Sequence, residues 1–197
     1  MCCLINYYFT IKRVILIQYY MLYIITALKP EAQAFIDKYK LIKVEYKGFY
    51  LHVGENIKVV ISGVGINNSE AASNMIINTL NPSSDDIFLN IGICGANTKY
   101  KIGELIEISS IVYKDSTYTL NQGHEYTINC VDNEMSTDEY NIVDMESFGF
   151  YKATKEIKNR YMYKIVSDHF EPQNVTKEKT KSLIFNVIEE IMKKVTK

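Results

Sequence analysis

Arginine is scarce in this sequence, and neither sign of charge dominates it. The chain has 197 residues and a formal net charge of -1, and its only arginines are Arg13 and Arg160. Arginine is the side chain that holds phosphate or carboxylate with two parallel hydrogen bonds, so few sites of that kind can form here. A basic excess, which would indicate a nucleic-acid partner, is also absent. Both observations favour a small-molecule ligand over nucleic acid.

Cofactor and metal motifs are also missing. The four cysteines stand at positions 2, 3, 94 and 130, without paired metal-ligand spacing or a dense disulfide framework. Neither His52 nor His169 is spaced as a ligand with an acid pair, so each is expected to be hydrogen-bonded or exposed. The glycine fingerprint for dinucleotides and the lysine-bearing phosphate loop do not occur. We predict no metal, no cofactor and a reducing, cytoplasmic location.

Residues 1–20 have two alternative interpretations. Lys12 and Arg13 precede an apolar run over residues 14–28, as in a signal peptide. That run is short for a membrane span and no small-residue cleavage site follows it, while Leu22–Ala27 has the character of a buried strand. We predict that residues 1–20 are an extension, either disordered or the result of a mis-assigned start, and that residues 21–197 form a single domain without membrane contact.

Apolar strands alternate with amphipathic helices from Met21 onward. The pattern predicts strands near residues 22–27, 41–46, 49–54, 57–65, 86–96, 105–113 and 163–167, and helices after Pro30, over 69–80, over 146–158 and near the carboxyl terminus. Residues 114–140 are polar and turn-rich, without a helical stripe. Such alternation predicts an α/β fold, a three-layer sandwich with a mostly parallel or mixed central sheet flanked by helices.

Chemically distinctive residues follow the ends of these strands. They are Glu31, Gly63, Gly65, Gly92, Ile93, Cys94, Gly95, Asp144, Met145, Glu146 and Asp168. Ligands gather at the carboxyl ends of strands in such sheets, so these residues are candidates for one site. Each also has a plain structural interpretation: the glycines suit tight turns, and the acids suit helix starts or loop hydrogen bonds.

The ordered motifs resemble those of the nucleoside phosphorylases and nucleosidases of the purine/uridine phosphorylase type, including methylthioadenosine/adenosylhomocysteine nucleosidase. The resemblance is carried by "ITALKPEAQAF", "ISGVGINNSEAA", "LNIGICGA", "IGELIEISSIVYKD", "VDMES" and "IVSD", which span most of residues 21–170. It implies cleavage of the N-glycosidic bond of a nucleoside, with a purine as the favoured base. It also implies a homodimer or larger homo-oligomer.

The resemblance implies a role for each candidate residue. Glu31 would activate water, Met145 and Glu146 would hold the ribose, and Asp168 would protonate or hydrogen-bond the leaving base. The backbone of Gly63, Gly65 and residues 92–95 would shape the end of the site that receives the nucleophile. These roles suit a transition state with positive charge on the sugar and negative charge on the base.

The sequence leaves three points open: the nucleophile, the aromatic residue against the base, and whether the chain is catalytic. Asn90 stands where the phosphorylases usually carry an arginine, which together with Glu31 favours hydrolysis, although lysines and backbone amides could still bind phosphate. The chain is also short between residues 114 and 140, where relatives place an aromatic residue against the base. Tyr118, Tyr126 and Tyr140 are the candidates to replace it. A shortened relative that binds a nucleoside or a partner chain without catalysis is the third alternative.

Overall fold

The computed structural model describes residues 20–121 and 126–196, which contain ten strands and four α-helices. The strands are β1 (Leu22–Thr26), β2 (Ile42–Tyr46), β3 (Phe49–Val53), β4 (Ile57–Ile61), β5 (Ile87–Ala96), β6 (Leu105–Tyr113), β7 (Ser116–Thr119), β8 (Tyr126–Cys130), β9 (Ile142–Asp144) and β10 (Arg160–Asp168). The helices are α1 (Lys29–Tyr39), α2 (Ile66–Leu80), α3 (Ser147–Ala153) and α4 (Lys177–Val195), with a short 3₁₀ turn at Pro172–Asn174. Of the predicted extension, residues 1–19 lie outside the described part.

All ten strands join one mixed sheet, and part of that sheet closes on itself. The strand order is β10-β6-β8-β9-β5-β1-β4-β3-β2, with β7 paired to β6 off this path, and β10 pairs with β5 as well as with β6. That extra pairing makes β5, β10, β6, β8 and β9 a closed five-stranded ring. Strands β1, β4, β3 and β2 extend from the ring as an open wing, and β5 is the strand that both parts share.

Helices cover both faces of this sheet, which confirms the predicted three-layer α/β fold. On one face α1 packs against α4 over Ile24, Val59, Leu89 and Ile165. On the other, α2 packs against α3 over Ile25, Val60 and Phe88. Neighbouring residues of β1 therefore serve opposite cores, as the strand period of two requires. Burial of both faces explains why the predicted strands are continuous apolar runs in the sequence.

The helix bounds differ from the predicted ones for identifiable reasons. Helix α2 starts at Ile66 and not near Ser69, since Gly65 at φ 102° supplies a left-handed turn directly before it. Helix α3 ends at Ala153 and not near Lys158. Directly after this end, the Thr154 carbonyl accepts a hydrogen bond from the Arg160 guanidinium at 2.7 Å. The segment 114–140, predicted to be irregular, contributes strands β7 and β8.

No helix within residues 20–121 and 126–196 is both long enough and apolar enough to cross a membrane.

Candidate active site

A cavity of about 280 Å³ opens at the carboxyl ends of β1, β5 and β10. This is the edge at which the sequence predicted a site. Five carboxylates line the cavity: Glu31, Glu134, Asp144, Glu146 and Asp168. The remaining lining residues are Ala27, Leu28, Val64, Ile93, Cys94, Gly95, Val131, Met135, Val143, Met145, Ser167, Pro172 and Val175. Neither lysine nor arginine is among the described residues of this lining.

Glu31 is held at one end of the cavity by backbone donors. Its Oε2 accepts hydrogen bonds from the amides of Ala27 at 2.9 Å and Leu28 at 2.8 Å, and its Oε1 accepts one from Ile93 at 2.8 Å. A carboxylate has about four lone-pair positions, so one position of Oε1 remains for a further donor such as water. The side chain is 2% exposed, and this burial raises its pKa, against the lowering effect of the Leu28 and Ile93 hydrogen bonds.

Gly92 makes room for this arrangement. A Cβ atom at Gly92 would lie 2.9 Å from Glu31 Oε1, which is too close for a real side chain. Glycine at this position therefore lets the carboxylate reach over the end of β1 and settle against β5. We call this part of the cavity, where Glu31, Glu146 and Asp144 meet, the Glu31 end.

Glu146 lies at the Glu31 end, beside half-buried Met145. Its Oε1 accepts a hydrogen bond from the Gly65 amide at 2.8 Å, which joins the start of α3 to the start of α2. Glu146 is 8% exposed. Burial first, and then the nearby Asp144 carboxylate, raise its pKa to about 7. A small change in surroundings near neutral pH would thus change its charge.

Three amides of the glycine turns donate to protein acceptors. The Gly63 amide donates to the Ala27 carbonyl at 3.1 Å, while those of Gly65 and Ile93 bind the two glutamates. Ile93, Cys94 and Gly95 do line the cavity. The backbone of these residues therefore shapes the cavity wall. The amides of Gly65 and Ile93 hold the carboxylates of Glu146 and Glu31 in place.

Lys164 is the charged residue that sequence reasoning missed. It lies on β10 with its side chain 1% exposed, and its Nζ is 2.7 Å from Asp144 Oδ2. Burial alone would lower the pKa of Lys164, but Asp144 and Glu146 together raise it above its ordinary value. Asp144 is fixed in turn by Ser147, whose amide donates to Oδ2 at 2.9 Å and whose hydroxyl donates to Oδ1 at 2.6 Å. A lysine within the buried run "YKIVSD" was the signal that could have found it, because lysine is almost never fully buried unless paired.

Asp168 stands at the other end of the cavity, which we call the Asp168 end. It pairs in register with Gly95, after a bulge in β10 between Val166 and Asp168. The Ser167 hydroxyl donates to Asp168 Oδ2 at 2.6 Å and the Glu171 amide donates to Oδ1 at 2.9 Å. These bonds aim an 8% exposed carboxyl group into the cavity.

The segment after β8 forms a further part of the cavity wall. Val131 and Met135 are half-buried there and Glu134 is exposed, and all three line the cavity. No tyrosine predicted for this role lines it. Tyr118 packs on Phe148 at 4.8 Å between ring centroids, Tyr126 lies 6.2 Å from Tyr100, and Tyr140 is exposed. The shortened segment thus supplies an aliphatic and thioether surface in place of a ring.

Two further expectations concern histidine and cysteine. His169 is hydrogen-bonded as predicted, with Nδ1 2.9 Å from the Ala96 carbonyl. His52 is 7% exposed, and its Nδ1 has no hydrogen-bond partner among the described residues. Cys94 and Cys130 are free thiols, and burial raises the pKa of both. In the described ranges, no group of three or more His, Cys, Asp or Glu side chains is arranged to hold a metal ion.

No family model matches the sequence, and no curated protein matches it either. Solved structures do match the fold. A mutant of the 5′-methylthioadenosine/S-adenosylhomocysteine nucleosidase of Helicobacter pylori, with 5′-methylthioadenosine in its active site, is 12% identical with a TM-score of 0.76. That match covers 89% of this chain and 99% of the other.

Two other structures give the same result. The futalosine hydrolase of Helicobacter pylori is 14% identical with a TM-score of 0.75, covering 89% of this chain and 98% of the other. The 5′-methylthioadenosine nucleosidase of Arabidopsis thaliana is 19% identical with a TM-score of 0.73, covering 90% and 94%. The fold of this chain is therefore that of the nucleoside phosphorylases and nucleosidases. This confirms, at the level of fold, the resemblance that the sequence motifs indicated.

Proposed function

We propose that this protein hydrolyses the N-glycosidic bond of a purine nucleoside. The observation that carries the proposal is the Glu31 carboxylate, held by three backbone amides at the cavity wall with one lone-pair position unused. A buried carboxylate whose pKa is raised is a stronger base than an exposed one, and Oε1 is placed to take a proton from water. The similarity in fold to a nucleosidase and to futalosine hydrolase supports this choice of reaction.

Glu146, Met145 and Asp168 have complementary roles in this proposal. Positive charge grows on the sugar as the bond to the base breaks, and the Glu146 anion at the Glu31 end would stabilise that charge while accepting hydrogen bonds from ribose hydroxyls. Met145 would lie against the ribose. Asp168 would donate a proton or a hydrogen bond to the base, which gains negative charge as it leaves.

The charge of the cavity lining favours water over phosphate as the nucleophile. Five carboxylates and no cationic side chain face the cavity among its described residues. A phosphate dianion would meet repulsion there. Arg160 is engaged elsewhere, donating to the carbonyls of Thr154 and Leu120. Neutral water suits this lining better than an anion.

Self-association is part of the same proposal. Val64 lines the cavity but is 45% exposed, so the rim beside it is open in the single chain. A second copy of the chain covering this rim would exclude water from the site. Light scattering on a purified sample measures the oligomeric state directly, and a strict monomer would contradict this part of the proposal.

The decisive experiment measures free base released from a panel of purine nucleosides, including methylthioadenosine and inosine, with and without phosphate. Release that does not depend on phosphate supports hydrolysis. Release only with phosphate would show that the reaction is phosphorolysis and not hydrolysis. A folded sample that releases no base under either condition would overturn the enzymatic proposal and favour a nucleoside-binding protein.

A further inference from the structure

The buried ion pair between Lys164 and Asp144 lies behind the cavity wall and takes no direct part in the proposed chemistry. Lys164 is not among the residues that line the cavity, whereas Asp144 and Glu146 are. Any effect of the lysine on the chemistry must therefore pass through the acids. Its side chain is fully enclosed, so its charge is balanced only by what surrounds it.

Strand register places Lys164 on the face of the sheet that the Glu31 carboxylate occupies. Lys164 pairs with Gly92 in the parallel ladder between β10 and β5, and paired residues of such a ladder point to the same face. The face at Gly92 is the one occupied by the Glu31 carboxylate, 2.9 Å from the Cβ position. Asp144, which the lysine contacts directly, is two residues from Glu146.

The acids around this cation outnumber it. Glu31 is 2% exposed, Asp144 5% and Glu146 8%, and Lys164 is the cation among these four groups. Three buried carboxylates of like charge cannot all stay ionised at close range without compensation, because each raises the cost of charging the others. Asp144 is already bound by Lys164 and Ser147, so Glu146 is the acid whose charge depends most on this balance.

We propose that Lys164 is a positioning residue whose ammonium group, anchored by Asp144, keeps the Glu146 carboxylate anionic and so sets the acid limb of the enzyme's pH profile. The effect on the pH profile rests on the proposed function. The effect of Lys164 on the charge of Glu146 does not depend on activity. The groups facing Glu146 are Asp144 on β9, Lys164 on β10, Glu31 on α1 and the Gly65 amide before α2. Lys164 is the only one of them with a full positive charge.

The test is the titration of Glu146 followed by carbon-13 NMR of the side-chain carboxyl groups, with Glu146→Gln to assign the signal. Lys164→Gln removes the charge but keeps a donor for Asp144, and Lys164→Arg keeps the charge. We expect the Glu146 midpoint to rise by about one pH unit or more in Lys164→Gln, and to stay near the wild-type value in Lys164→Arg. An unchanged midpoint in Lys164→Gln overturns the proposal.

Activity gives a second readout that a merely structural role would not reproduce. In Lys164→Gln, kcat at pH 6 should fall about tenfold relative to wild type and recover at pH 9 to within about threefold. A uniform loss at every pH would contradict the proposal. Lys58→Met is the matched control, because Lys58 is a partly buried lysine on β4 that does not line the cavity.

Two outcomes remain to be separated. If wild-type protein releases no base, the proposed function fails, while the NMR titration still decides the role of Lys164. If Lys164→Gln does not fold, Asp144→Asn is compared with Asp144→Asn/Lys164→Gln, since both lack the aspartate charge. A higher Glu146 midpoint in the double variant supports the proposal, and equal midpoints overturn it.

Discussion

The two ends of the cavity differ in how firmly the chain holds their acids. At the Glu31 end, Glu31 accepts three backbone hydrogen bonds, Asp144 is bound by Lys164 and Ser147, and Glu146 accepts one bond from the Gly65 amide. At the Asp168 end, Asp168 has one backbone donor and one hydroxyl donor. Gly92, against which Glu31 lies, and Gly95, which pairs with Asp168, are three residues and about 10 Å apart along β5.

The difference matches the chemistry proposed for each end. A proton-abstracting base and a charge-stabilising anion must be fixed before reaction, because rearranging them during reaction would add to the barrier. The cavity wall after β8 can adapt more, since it includes Met135 and the exposed Glu134. Methionine fills irregular spaces with little strain. We therefore expect changes at the Glu31 end to cost more activity than changes at the Asp168 end.

The largest expected effect is that of Glu31→Gln. An amide cannot take the proton from water, so kcat for base release should fall by about 10²–10⁴-fold. The control is Glu55→Gln, at an exposed position outside the cavity lining. Circular dichroism melting checks the fold, because the new NH₂ group would face one of the three amide donors. A kcat within about threefold of wild type would remove Glu31 from its proposed role.

Asp168→Asn should rank second, with kcat lowered by about 10²-fold. Asparagine can still accept the Glu171 amide hydrogen bond, so the loop after β10 should keep its conformation. The new NH₂ group cannot accept from the Ser167 hydroxyl, but that hydroxyl can donate to the Cys94 carbonyl at 3.1 Å and accept from the NH₂ group. The proton or charge at the cavity is then the main loss. Asp138→Asn, at an exposed position between β8 and β9, serves as the matched control. Turnover equal to wild type would show that the base departs without help from Asp168.

The third prediction concerns pH, and activity and stability should move in opposite directions. Burial and Asp144 raise the pKa of Glu146 from 4.5 to about 7, so its anion and the activity that needs it should appear as pH rises through about 7. Between these two values the folded protein binds a proton that the unfolded chain releases. Stability should therefore fall by about 2–3 kcal/mol as pH rises over this range.

Urea unfolding of wild type and Glu146→Gln at pH 5, 6, 7 and 8 measures this change. The variant lacks the titrating group, so its loss of stability over that range should be smaller. Glu31, whose pKa burial also raises, contributes in the same direction in both proteins. Parallel curves for the two proteins would show that Glu146 does not titrate in this range.

The sequence predicted the fold and the edge of the sheet at which the cavity opens, but not how the acids are held. Apolar runs and helical spacing are local signals, so strands such as Leu22–Thr26 were predicted to within a residue. The pairing of β10 with both β5 and β6 is a long-range contact that closes the ring, and no local pattern encodes it. The ion pair of Lys164 with Asp144 depends on that closure and was missed for the same reason.

The glycine turns show a second limit. Their position after strands was evident from the sequence, but the acceptors of their amides were not. In the structure the Gly65 and Ile93 amides bind Glu146 and Glu31. Sequence spacing cannot tell which acceptor a backbone amide will meet, because the carboxylates come from residues 81 and 62 positions away.

Gly92→Ala gives the fourth prediction and should lower kcat by about tenfold. The added methyl group would lie 2.9 Å from Glu31 Oε1, so the carboxylate must shift, and a small displacement of a catalytic group is costly. Gly48→Ala is the control, since its Cβ would meet nothing within 4 Å although its φ of 81° makes it mildly destabilising. If both variants lose stability but keep full turnover, the close approach at Gly92 does not matter for Glu31.

Glu134→Gln should have the smallest effect and contrasts an exposed acid of the cavity lining with a buried one. Glu134 is exposed, so removing its charge should change kcat by less than about threefold. Its effect should fall on KM for the nucleoside, because an exposed lining residue would interact equally with the substrate and with the transition state. Glu134→Gln and Glu31→Gln make the same chemical change at an exposed and at a buried position of one cavity lining. Equal losses of kcat in the two variants would mean that the chemical step depends on both acids to the same degree.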